Sequence, residues 1–180
     1  MRKLRRRERL KWVRLRIPDP AKVRIVQVIR VGWLNRTPVQ TFILCPLLVV
    51  AFELVRQRGR LAIVPAGFAL LAWGYLQYLL VGRLRTRLGG GGPGLGVPPD
   101  RIVEDGPYRY VRNPMYLGHL IFMLGLALTF ASWFALILFA ARALWFHRRV
   151  LEDETRLREM FGAAYLDYQR RVKRWIPGLL

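Results

Sequence analysis

The chain has 180 residues, 53% of them hydrophobic, and a formal charge of +20 from 31 Lys and Arg against 11 Asp and Glu. That length fits one domain, and a soluble core does not need such apolarity and such charge together, whereas membrane helices with basic cytoplasmic flanks do. A single cysteine, Cys45, excludes an internal disulfide and a cysteine-based metal cluster.

In chain order, residues 1–36 read as a basic arm. Pro18 and Pro20 break it, and residues 21–33 mix Val23, Ile25, Val26 and Val28 with Lys22, Arg24 and Arg30. That mixture suits a segment lying on a membrane surface rather than crossing it. No apolar h-region or small-residue cleavage site follows the basic start, so no secretory signal is expected. Residues 37–82 hold two candidate spans, 37–55 and 61–81, with Pro46 placed to kink the first. Residues 83–180 hold the rest: a Gly/Pro-rich loop over 88–99, short apolar segments at 115–130 and 133–146, and a helical tail over 148–173. Only Ala131 and Ser132 separate the short segments, which predicts an antiparallel helical hairpin. In the tail, Glu152 with Arg156, Glu154 with Arg158 and Arg149 with Asp153 are spaced for i,i+4 pairing. Gly162 is placed to interrupt the tail, and Pro177-Gly178 to stop it.

The expected fold is therefore all-α: a multipass integral membrane protein of about four transmembrane helices, ending in a helical hairpin and a cytoplasmic helical tail. The arm, the second loop and the tail carry most of the arginines, which places both termini in the cytoplasm; the three arginines of the first loop run against that count. In a prokaryote the membrane would be the plasma membrane. The basic residues suit anionic lipid head groups, at about 1 kcal/mol for each residue near the surface. They are spread along the chain and split by apolar segments, which argues against nucleic acid.

A tight hairpin brings the start of one helix beside the end of the next. Tyr108, Arg109, Tyr110, Arg112, Asn113 and Tyr116 lead into the third apolar segment. Arg142, Trp145, His147, Arg148, Arg149, Glu152, Asp153 and Glu154 lead out of the fourth. The two clusters should meet at the cytoplasmic boundary. Pro114 suits a first helical turn, with Asn113 as its cap, and the free N–H groups there suit an anionic group. Tyr116 is placed either to donate a hydrogen bond or to anchor at the interface. Arg142, Phe146, Arg149 and Asp153 share one helix face, although Arg142 alone also reads as a snorkelling side chain. Two histidines, His119 and His147, are too few for a metal site.

At these residues the chain resembles a family. The run Gly106 to Gly118, the hairpin, Asp153-Glu154-Thr155-Arg156-Leu157, Phe161-Gly162 with Tyr165 and Tyr168, and Ile176-Pro177 are similar to the isoprenylcysteine carboxyl methyltransferases and the related phospholipid methyltransferases. The resemblance covers about the last 75 residues. It implies S-adenosylmethionine held between the hairpin ends and the tail, with a lipophilic acceptor, prenylated or a lipid head group, arriving from the bilayer. The family's Arg-His-Pro stands here as Arg112-Asn113-Pro114. The resemblance implies cofactor binding by Tyr108, Arg112, Asn113, Pro114, Tyr116, Gly118, Asp153 and Glu154, and catalytic roles for Arg149 and Glu154.

Those residue types suit the chemistry. A sulfonium donor is cationic, so carboxylates and aromatic faces favour it. Methyl transfer is an in-line displacement, in which positioning does most of the work. No clear general base stands in the sequence, which favours a carboxylate acceptor over an amine. Two other readings stay open: an NADPH-dependent membrane reductase of the sterol-reductase type, and a non-catalytic membrane scaffold.

Overall fold

A computed structural model of the chain describes residues 36–92 and 97–176. The basic arm, the segment 21–33 and Pro177-Gly178 lie outside the described residues. Five helices follow one another: α1 (Thr37–Arg56), α2 (Gly67–Gly89), α3 (Pro114–Thr129), α4 (Trp133–Phe161) and α5 (Ala163–Arg171), with a short 3-10 turn at Gly106–Arg109. The described residues contain no strand, only an isolated parallel bridge between Val111 and Lys173. The all-α expectation holds for them.

Helix α1 is the one described helix long and apolar enough to cross a membrane by length and composition. Its turn Gln40–Leu44 is π-helical, closed by the Cys45 N–H on the Gln40 carbonyl. The cause lies next door. Pro46 has no N–H to donate, and its ring crowds the carbonyl four residues back, so the preceding turn widens.

Helix α2 begins six residues later than the sequence predicts and ends eight later. Pro65 disfavours helix at Val64, whose N–H instead donates to the Thr129 carbonyl at 2.7 Å. The helix then runs through Arg83, Arg85 and Arg87 to Gly90, which takes a left-handed φ of 71°. Helix α3 matches its expected segment within a residue, at 16 residues. Ser132 caps α4, its Oγ accepting from the Ala135 N–H at 3.2 Å. The expected boundary near Phe146 does not exist. No Gly or Pro stands between Trp133 and Phe161, so apolar and charged halves form one 29-residue helix. Gly162, with φ 56°, ends it.

The core has two ends. At one, Cys45 and Val49 of α1 pack with Met123, Leu126 and Ala127 of α3 and Ala135 of α4. At the other, Tyr116 of α3 packs with Phe146 and Val150 of α4. The start of α3 therefore lies beside the later half of α4. Helices α2 and α3 touch backbone to backbone. A Cβ on Gly74 would stand 2.4 Å from the Phe122 nitrogen, and one on Gly118 would stand 2.9 Å from the Gly74 oxygen.

The surface is apolar where a soluble protein's is polar. Leu47, Leu48, Phe68, Trp73, Ile137 and Leu144 are exposed, while Thr41, Glu53, His119, Thr129 and Glu154 are buried. Contiguous exposed apolar side chains mark a membrane or partner surface.

The backbone contact predicts unequal tolerance along α2. Gly74→Val should destabilise the protein by about 1–3 kcal/mol or prevent folding, because backbone cannot step aside as a side chain can. Gly82→Ala meets only the Met115 Cε at 3.5 Å and should unfold at the parent temperature. Thermal unfolding in detergent compares the two.

Candidate functional site

The site forms where the chain enters α3. Pro114 occupies the first turn, where a missing N–H costs nothing, and Gln77 of α2 donates to its carbonyl at 2.9 Å. Asn113 holds the cap position, but its side chain does not cap. Its amide reaches the Arg174 carbonyl instead, at 3.4 Å. The Arg112 N–H donates to the Lys173 carbonyl at 2.9 Å. The entry to α3 and the segment after α5 thus lie side by side.

A buried carboxylate fastens them. Glu154, 1% exposed, accepts from Arg112 Nε at 3.1 Å, from Arg174 Nε and Nη2 at 3.1 and 2.9 Å, and from Gln169 Nε2 at 3.2 Å. Arg112 Nη1 also donates to the carbonyls of Gln169 and Val172, at 2.9 and 2.8 Å. Burial alone would raise the Glu154 carboxyl, but the hydrogen bonds and charges of Arg174 and Arg112 outweigh it and hold it below the usual range. Glu154 pairs with these two arginines rather than with Arg158, the partner expected from spacing.

Beside this knot lies an open cleft with about 760 Å³ of space not filled by protein, its mouth included. One wall is Tyr116, whose hydroxyl donates to Asp153 Oδ2 at 2.6 Å. Arg149 and Arg156 lie 3.6 and 3.7 Å from Asp153 Oδ1. Opposite stand Tyr108, Tyr165 and Tyr168, with the Tyr168 hydroxyl donating to the Tyr108 carbonyl at 2.8 Å. Burial pushes all three phenols well above their ordinary value, so they act as neutral rings and hydroxyls. Val97, Pro98 and Pro99 form part of the rim.

The structure brings together the two clusters that the sequence places apart. Tyr108, Arg112, Asn113, Tyr116 and Asp153 all line the cleft. Pro114, Gly118, Arg149 and Glu154 are not among its lining residues. Gly118 is spent on the contact with α2, and Glu154 on the ion pairs. Arg149 sits behind Asp153. Tyr165 and Tyr168 were legible only as part of the family resemblance, with no site role given to them, and nothing in the spacing of Gln169 or Arg174 pointed to Glu154. Arg142 does not snorkel: its guanidinium reaches Gln40 and Thr41 of α1, at 3.0 and 3.1 Å.

A family model described as phospholipid methyltransferase matches residues 65–164, more than half of the chain and most of this site. The chain belongs to the phospholipid methyltransferase family. Among its curated relatives is a protein-S-isoprenylcysteine O-methyltransferase of Schizosaccharomyces pombe, 36% identical over 78 residues, which are 42% of this chain and 33% of that protein. Protein-S-isoprenylcysteine O-methyltransferase B of Arabidopsis thaliana is 32% identical over 79 residues, 43% of this chain and 40% of that protein. The Dictyostelium discoideum protein-S-isoprenylcysteine O-methyltransferase is 30% identical over 79 residues, 43% of this chain and 33% of that protein. The chain thus spans about a third to two fifths of the length of these relatives.

The Glu154 knot predicts a pH signature. Because the folded carboxyl lies below its ordinary value of 4.5, its stabilisation is complete above that pH and is lost as pH falls through the folded value. Glu154→Gln should therefore unfold more easily at neutral pH, by about 3–5 kcal/mol for a broken buried pair. The gap to the parent should narrow below pH 4.5. Unfolding temperatures of both proteins across pH would show it.

Proposed function

We propose that this chain is an integral-membrane methyltransferase that uses S-adenosylmethionine to methylate a lipophilic acceptor. The observation that carries the proposal is the Tyr116–Asp153 pair on the wall of a tyrosine-rich cleft, within the segment shared with the family. The exposed apolar faces of α1 to α4 support a bilayer setting. In this reading α1, α2, α3 and the first half of α4 cross the membrane, with α3 and α4 as a hairpin and both termini cytoplasmic.

The residues present fit the cofactor. Asp153 offers a carboxylate to a cationic or ribose group, and Tyr108, Tyr165 and Tyr168 offer rings to a cation and to an adenine face. Arg85, Arg112 and Arg156 at the lining supply positive charge for a carboxylate. When bound, the cofactor supplies an electrophilic methyl group. Tyr116 fixes the Asp153 carboxylate, and Arg149 sets its charge from the other side. Glu154 holds Arg112 and the segment after α5 in place, so its role is positioning. The cleft offers no free general base, which favours an acceptor that is already anionic, such as a carboxylate.

S-adenosylhomocysteine should raise the unfolding temperature of the purified protein; at about 100 times its Kd the gain is about 2.7 kcal/mol. NADPH should not. The reverse result would replace this reading with a reductase, and no shift from either would leave a scaffold.

Two substitutions test the wall. Asp153→Asn should weaken S-adenosylhomocysteine binding about tenfold, or about 1.4 kcal/mol, in isothermal titration. Tyr116→Phe should weaken it less while the protein stays folded. Equal affinity in parent and Tyr116→Phe would reduce that hydroxyl to a packing role.

A further inference from the structure

Tyr116, one wall of the cleft, has a neighbour from the segment after α5. Trp175 packs against the cluster that Tyr116 forms with Phe146 and Val150. The indole Nε1–H of Trp175 donates to His147 Nδ1 of α4 at 3.3 Å, with the two ring planes 29° apart. A line of contacts therefore runs from the exposed imidazole of His147, through Trp175 and the Tyr116 cluster, to the Asp153 carboxylate in the cleft. We propose that His147, acting through Trp175, is a positioning residue for the Tyr116–Asp153 wall, so that affinity for the methyl donor follows the charge on this imidazole. The proposal rests on the methyltransferase reading above.

Hydrogen-bond chemistry sets the direction. An indole N–H only donates, and a ring nitrogen of histidine accepts only while it carries no proton. A second proton turns both nitrogens of His147 into donors. Two N–H groups would then face each other, and the contact is lost. Histidine changes charge between about pH 5 and 8. The bond to Trp175 therefore belongs to the upper end of that range.

The groups around His147 leave its own charge in control. The residues one turn to either side on α4 are uncharged. Arg148 beside it is exposed, and Arg149 is turned to Glu152 and Asp153. From the segment after α5 comes Arg174, committed to Glu154. From α3 comes the Tyr116 hydroxyl, committed to Asp153. No carboxylate pairs with His147 among the described residues.

The place of the contact gives it leverage. Arg174 is fixed by Glu154 and by the Asn113 amide, which brings the chain to the edge of the wall but does not orient the next side chain. The indole has a single N–H, and His147 takes it. Tyr116 lies 5.2 Å from Phe146 between ring centroids and shares Trp175 as a neighbour. When the indole loosens, that cluster loses a neighbour and the phenol gains room to turn away from Asp153. Catalysis by positioning is sensitive to such a change.

The test is isothermal titration of S-adenosylhomocysteine into the full chain in detergent, from about pH 8 to about pH 5. Glu154, held below the usual carboxylate range, stays ionised throughout. The parent should lose affinity toward the acid end by about two- to tenfold, the worth of one neutral hydrogen bond. His147→Asn supplies an acceptor oxygen near the Nδ1 position and does not titrate, so it should hold the parent's high-pH affinity across the range. Trp175→Phe keeps a ring without the N–H and should show the weaker affinity throughout. A parent profile that is flat overturns the proposal without any variant. So does an acid loss that persists in His147→Asn, or high-pH affinity that survives in Trp175→Phe. A merely structural pair would lower the unfolding temperature of the ligand-free Trp175→Phe protein while leaving the affinity profile as in the parent, which also overturns it. Absence of binding by the parent at every pH would remove the methyltransferase reading and this proposal with it, whereas pH-independent binding removes the proposal alone.

Discussion

Glu154 is the constraint on which the site depends. A carboxylate removed from water must find strong partners or give up its charge. Glu154 finds Arg112 just before α3 and Arg174 just after α5. The chain between them is drawn into a closed ring, and the cleft lies beside the knot that closes it. Arg112 is doubly committed, since it also satisfies two carbonyls at the end of α5. Removing the carboxylate would leave two guanidinium groups crowded together and those carbonyls loosely held. The paired acidic residues thus divide their labour: Asp153 faces the cleft, and Glu154, the next residue, turns about 100° around the helix into the knot.

Much of this was legible in the sequence, where one signal acted alone. The short Ala131-Ser132 link placed the start of the third apolar segment near the end of the fourth, and the start of α3 does meet the later half of α4. Gly162, placed to interrupt the tail, does end α4, with a left-handed φ of 56°. The failures came where two signals competed. The Phe146–Arg148 boundary was drawn from a change of polarity, yet helices end at capping and breaking residues, and none stands there. Val64 sits in an apolar run that suits a helix, but Pro65 vetoes it. Spacing foretold Arg149 with Asp153, but not the partners of Glu154. Spacing offered Arg158 to Glu154 on the same helix, whereas burial drew partners from far along the chain.

The interior is polar in places where the exterior is not. Thr41 and Arg142 pair among the apolar helices, while leucines and tryptophans face outward. Such an arrangement loses its logic in water. In a bilayer it follows directly, since the apolar outer face needs no cover and polar groups must find partners inside.

The glycine contact between α2 and α3 has a further consequence. Two helices that touch backbone to backbone at Gly74 and Gly118 have no flexible side chains between them to absorb a shift. They behave as a single rigid strut, and sliding one along the other would drive carbonyls into amides. Any change of shape must then be carried elsewhere. The segment after α5 is tied to this strut at the entry to α3, through Arg112, Asn113 and Glu154. The Glu154 knot is thus seated on a wall that does not slide, with Gln77 of α2 holding the Pro114 carbonyl beside it.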